Sequence, residues 1–71
     1  MVRGMTDNEI RSMYRQIRAQ VCKATGMTAK AFDADAARGA HEYSDGEEVT
    51  AYCWLMGARY MAEDCKVGVA V

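Results

Sequence analysis

The sequence predicts an all-α fold: a three-helix domain with a long C-terminal helix, expected to be homo-oligomeric. Three observations lead there. Proline is absent from the 71 residues, so nothing in the chain forbids long helices. Apolar residues recur at helical spacing over two extended windows, the primary signal for amphipathic helices. Each of those windows is preceded by a Ser/Thr-x-x-Glu capping box, in which side chains satisfy the backbone N–H groups that a helix start leaves orphaned.

The first helix is expected over residues 7–24. Thr6-Asp7-Asn8-Glu9 forms its capping box, and Met5 and Ile10 occupy the hydrophobic-staple positions. Ile10, Met13, Tyr14, Ile17, Val21 and Ala24 then form one apolar stripe. Thr25-Gly26 supplies the stop, because glycine accepts the left-handed conformation that follows a last turn.

The second helix is read as short. Thr28 caps it, Met27 and Phe32 sit at staple positions, and Gly39 ends it. Phe32 is its only large apolar anchor, so packing must hold it. Residues 40–44 are read as a connector. Ser44-Asp45-Gly46-Glu47 then reads as the capping box of a third helix reaching from Asp45 to Cys65. Gly57 lies in its middle, where glycine costs up to about 1 kcal/mol relative to alanine; close approach by another backbone would explain it.

That third helix carries apolar residues on two sides. Val49, Tyr52, Cys53, Met56 and Tyr60 share one; Ala51, Trp54, Leu55, Ala58, Met61, Ala62 and Cys65 share the other. Two partner helices in so short a chain cover both with difficulty. The alanine-rich side is therefore expected to be an oligomer interface built from Ala51, Trp54, Leu55, Ala58, Met61 and Ala62, paired with itself across a two-fold axis. The alternative is a fully buried central helix, flanked by helix 1 on one side and by helix 2 plus the tail on the other.

Residues 1–71 read as a single domain, with 1–5 an N-terminal extension and 66–71 a C-terminal tail. A domain this small buries only about 60% of the surface its unfolded chain exposes, which is why support from self-association enters the reading. Cys22, Cys53 and Cys65 are an odd number, and no apolar run follows Arg3 as a signal peptide would require. Reduced thiols in a cytoplasmic protein are the expectation. No run of 18 apolar residues is present, so no membrane span is expected, and helix 1 has no Trp or Phe on its apolar face to favour membrane-surface binding.

Charge is unevenly spread along the chain. Residues 1–30 hold six basic and two acidic residues, net +4; residues 31–71 hold three basic and eight acidic, net −5. Arg11, Arg15 and Arg18 lie at i, i+4 and i+7, hence on one flank of helix 1, where guanidinium forks suit carboxylates and phosphates alike. His41, Glu42 and Asp45 cluster in the expected connector. These six residues are the candidate partner-binding positions.

Catalysis finds little support. His41 between carboxylates could serve as a general base, but no phosphate loop, nucleophile elbow or HExxH motif is present. No cysteine pair has zinc spacing, so no metal and no cofactor is expected. The turn at Thr25–Thr28 has the length of a helix-turn-helix, yet Asp33 and Asp35 offset Lys30 and Arg38 on the would-be recognition helix. The sequence thus points to a non-enzymatic accessory protein that binds a protein partner. A nucleic-acid module using the same arginines, or a small-ligand site between protomers lined by Tyr52, Trp54 or Tyr60, stand as alternatives.

Overall fold

Each helix begins in the same way. A computed structural model describes residues 4–68, and among these it contains three helices and no strand: α1 (Asp7–Thr25), α2 (Ala29–Ser44) and α3 (Ala51–Asp64). Thr6, Thr28 and Thr50 are the three N-caps, each in extended conformation, and their hydroxyls accept from the backbone N–H of Glu9, Ala31 and Cys53. An apolar residue precedes each threonine and another follows four positions later: Met5 and Ile10, Met27 and Phe32, Val49 and Trp54. These are the positions at which a hydrophobic staple fixes the angle of chain entry. The three caps stand at regular intervals of 22 residues.

The helix ends differ. Gly26 takes the left-handed conformation (φ 80°) and donates to the Cys22 carbonyl at 2.8 Å, closing α1 and reversing the chain within three residues. At the end of α3, Lys66 is left-handed (φ 57°). The Val67 N–H reaches back to the Ala62 carbonyl and the Lys66 N–H to that of Glu63, the bond pattern of a Schellman motif. Val67 packs against the core; residues 69–71 of the expected tail lie outside the described residues.

Two boundaries differ from the sequence expectation. Helix α2 does not stop at Gly39 but continues to Ser44. The reason is burial: Phe32, Ala36, Ala40 and Ser44 repeat every four residues, and all four are buried, so the stripe that packs on α3 carries the helix past the glycine. The expected capping box at Ser44–Glu47 is therefore the end of α2, with Asp45 and Gly46 both left-handed. Helix α3 starts at Ala51 instead of Asp45, and at 14 residues it is shorter than the 19 of α1; the long C-terminal helix is not observed.

Helices α2 and α3 cross at two glycines. A β-carbon on Gly57 would lie 2.6 Å from the Ala36 carbonyl oxygen and 3.0 Å from the Ala40 nitrogen, and one on Gly39 would lie 2.9 Å from the Gly57 Cα. Only hydrogen fits between these backbones, which accounts for a glycine in mid-helix. Helix α1 then lays Ile10, Ile17 and Val21 over the pair, against Phe32, Leu55, Ala58 and Ala62.

That core decides the fate of the alanine-rich side of α3. Leu55, Ala58 and Ala62 are buried within the single chain, while Ala51, Trp54 and Met61 are half-buried against the same core. The expected oligomer interface is thus largely the interior of the protomer. The other side is mixed: Cys53 is buried and Val49 and Met56 are half-buried, while Tyr52 and Tyr60 are exposed.

Gly57→Ala should lower stability by about 1–3 kcal/mol, the range for overpacking a tight contact, even though alanine is the better helix former by about 1 kcal/mol. For a chain of this size a loss of 1 kcal/mol moves the melting point by roughly 4–8 °C, so thermal unfolding followed by circular dichroism measures it directly. Ala58→Glu should unfold the chain outright and not merely dissociate an oligomer, because it places an unpaired carboxylate in the core.

Candidate functional site

The arginine flank of α1 faces the beginning of α3 across a cleft of about 430 Å³, within the range of small-molecule and peptide-sized sites. Arg11, Arg15 and Arg18 line one wall with Tyr14 between them; Val49, Thr50, Ala51 and Trp54 line the other. The site owes its shape to three local features. Helical spacing puts the arginines on one flank, the Thr50 cap turns the chain into α3 at the facing wall, and Trp54 follows one turn later at the staple position.

Tyr14 joins all three helices. Its hydroxyl donates to Asp33 Oδ1 on α2 at 2.6 Å, and its ring meets Phe32 at 5.7 Å and Trp54 at 6.0 Å, both edge to face. Arg18 donates to both Asp33 oxygens at 3.2 Å and lies 5.8 Å above the Tyr14 ring, a cation–π arrangement. Burial, together with the hydrogen bond to Asp33 and that carboxylate's charge, pushes the Tyr14 hydroxyl well above the ordinary phenol range; the Arg18 charge pulls weakly the other way. Tyr14 is therefore a fixed donor at neutral pH.

The three arginines are not equivalent. Arg18 is half-buried and engaged by Asp33. Arg11 and Arg15 are exposed and make no ion pair among the described residues. The positive end of the α3 dipole opens onto the same cleft, which favours negative charge there. What remains at the rim is two unpaired guanidiniums beside a wall of aromatic and aliphatic side chains.

The other expected contacts fall elsewhere. His41 and Glu42 ride on the exposed last turn of α2 and Asp45 follows it, so they belong to a helix end and not to a flexible connector. Glu42 lines a second cleft of about 300 Å³ over the glycine crossing, with Asp35, Arg38, Tyr60 and Asp64. Arg38 is paired to Asp35, which leaves Glu42 and Asp64 to give that cleft an acidic character. His41 and Asp45 line neither cleft. Sequence reasoning found one wall of the basic cleft and missed the other, together with the Tyr14–Asp33 bond. The recurrence of an apolar-Thr pair with an apolar residue five positions after its first member at 5–10, 27–32 and 49–54 was the signal that would have placed the facing wall.

No protein-family model matches this chain, and no curated protein and no solved structure matches it either.

The Tyr14 bond gives stability a pH dependence with a definite sign. Because folding raises the phenol's pKa above its ordinary value of 10.0, the stability it confers is complete below pH 10 and declines as pH rises beyond that. Between pH 9 and 11.5 the melting temperature of the wild type should fall more steeply than that of Tyr14→Phe. Below pH 9 the variant should be less stable by about 1–2 kcal/mol for a lost bond to a charged acceptor at a partly exposed site.

Proposed function

We propose that this chain is a non-enzymatic accessory domain that binds a protein partner through the cleft between α1 and the start of α3. One observation carries the reading: Arg11 and Arg15 have no ion pair among the described residues and line a cleft that also holds Tyr14, Trp54, Val49 and Ala51, with Thr50 and the Asp33-bound Arg18 as its other polar members. Arginine beside aromatic surface is the composition that protein interfaces favour, and exposed guanidiniums without an internal carboxylate are available to an external one. The three free thiols accord with a reducing, cytoplasmic setting.

The nucleic-acid reading weakens on the same geometry. Asp33 neutralises Arg18, and the exposed pair Glu47–Glu48 leads directly into the cleft wall at Val49. Two arginines per protomer would release few counterions, giving a log–log salt slope of only about −1.8 on duplex DNA.

The test compares full-length wild type with Arg11→Ala and Arg15→Ala as bait in host extract, with retained proteins identified by mass spectrometry. A partner held by wild type and lost from both variants supports the proposal; an identical set on all three baits overturns it. In parallel, a labelled random duplex should show no submicromolar binding at physiological salt by fluorescence anisotropy.

Self-association belongs on the tyrosine side of α3 in this proposal. Tyr43, Tyr52 and Tyr60 are all exposed, with Tyr43 and Tyr52 in edge-to-face contact at 5.9 Å, and tyrosine is enriched where interfaces form. Light scattering should give the mass of an oligomer for wild type and of a monomer for Tyr60→Glu; a monomeric wild type at high concentration removes this reading.

A further inference from the structure

Resting on the cleft as the partner site, we infer that its occupant is a short, extended acidic segment with the pattern acid–apolar–acid. The inference starts from spacing. Arg11 and Arg15 are four residues apart on α1, a rise of about 6 Å along the helix axis. In an extended peptide, residues i and i+2 point to the same side and lie about 6.6–6.8 Å apart. Two carboxylates placed at i and i+2 therefore meet the two guanidiniums in register, each as a charge-assisted pair.

The residue between them points the opposite way, toward the α3 wall. There it meets Val49, Ala51 and Trp54 beside the Thr50 cap, a largely apolar surface that rewards an apolar side chain and offers a carboxylate no basic side chain. The two walls thus read alternate residues of one strand-like segment, the arginines giving charge selection and the α3 wall giving apolar selection. Asp33 sharpens this by holding Arg18, so the cleft presents two cations and not three. A polyanion with charges on every unit meets no basic side chain on the α3 wall, and Glu47–Glu48 beside Val49 repel its continuation.

The chain supplies its own reporter, since it has a single tryptophan and that residue lines the cleft. The probes are end-blocked octapeptides free of Trp and Tyr, with a Glu-Leu-Glu core in a Gly/Ser frame, alongside Glu-Ser-Glu and Lys-Leu-Lys cores and an octathymidylate. Each is titrated to millimolar concentration against full-length protein while Trp54 emission is followed. Glu-Leu-Glu should give a saturable change, Glu-Ser-Glu about tenfold weaker binding, and Lys-Leu-Lys none. Arg11→Ala and Arg15→Ala, with unaltered circular dichroism, should each weaken Glu-Leu-Glu about tenfold.

Equal binding of Glu-Ser-Glu and Glu-Leu-Glu overturns the apolar half of the inference while leaving the cleft as the partner site. Binding that neither arginine substitution weakens overturns the site itself. Octathymidylate binding more tightly than Glu-Leu-Glu replaces the peptide by single-stranded nucleic acid. No response to any peptide overturns the inference, and the extract comparison then decides separately whether a folded partner uses the same arginines.

Discussion

The contact on which this fold depends is the one between Gly39 and Gly57, where two helix backbones meet with no side chain between them. Backbones this close bring Ala36, Ala40 and Ala58 into full burial, so a thin chain obtains a dense interior from small residues. Dispersion energy depends on such proximity, because a gap of even 1 Å forfeits much of it. The crossing also sets which side of α3 turns inward. Leu55, Ala58 and Ala62 follow from it, and so does the surface on which α1 comes to rest.

Helix α1 is held by different means. Its apolar stripe covers Phe32 and Leu55, while Tyr14 and Arg18 fasten its flank to α2 through Asp33. The same flank carries Arg15 and Arg11, about one and two turns nearer the N-terminus and without an ion pair among the described residues. Structural anchoring and the proposed recognition surface thus share a single helix face, divided by position along it: the end near Asp33 is satisfied internally, and the end near Arg11 faces outward. A tyrosine pinned by two edge-to-face contacts and a short hydrogen bond keeps the cleft wall rigid between them, so an occupant finds it already formed.

Much of this was legible in the sequence and some was not, for identifiable reasons. Helix α1 could be read to within a residue because its cap, stripe and stop agree with one another. The arginine flank followed from spacing alone. Gly57 as a point of backbone approach was also foreseeable, although its partner Gly39 was taken for a terminator. There tertiary packing overrode local propensity: the stripe from Phe32 to Ser44 is buried against α3, and that burial outweighs glycine's cost in a helix. A stop at Gly39 makes Ser44–Glu47 read as a cap and places the start of α3 too early. The facing wall of the cleft was lost with that error, since Val49–Ala51 became mid-helix residues. The alanine side of α3 was misjudged as an oligomer surface because α1 and α2 cover it more completely than their lengths suggested.

The reversal at Gly26 has a consequence for how the chain avoids exchanging parts with its neighbours. Only three residues separate α1 from α2, and the turn works because position 26 is left-handed without strain. A side chain there would penalise the reversal and favour α1 running straight on into α2. Such a rod could bury its stripe only against the α3 of a second molecule, the geometry of a domain-swapped dimer. The missing β-carbon at Gly26 thus spares the closed bundle a backbone cost of roughly 1–2 kcal/mol, and by that amount it disfavours the exchanged form.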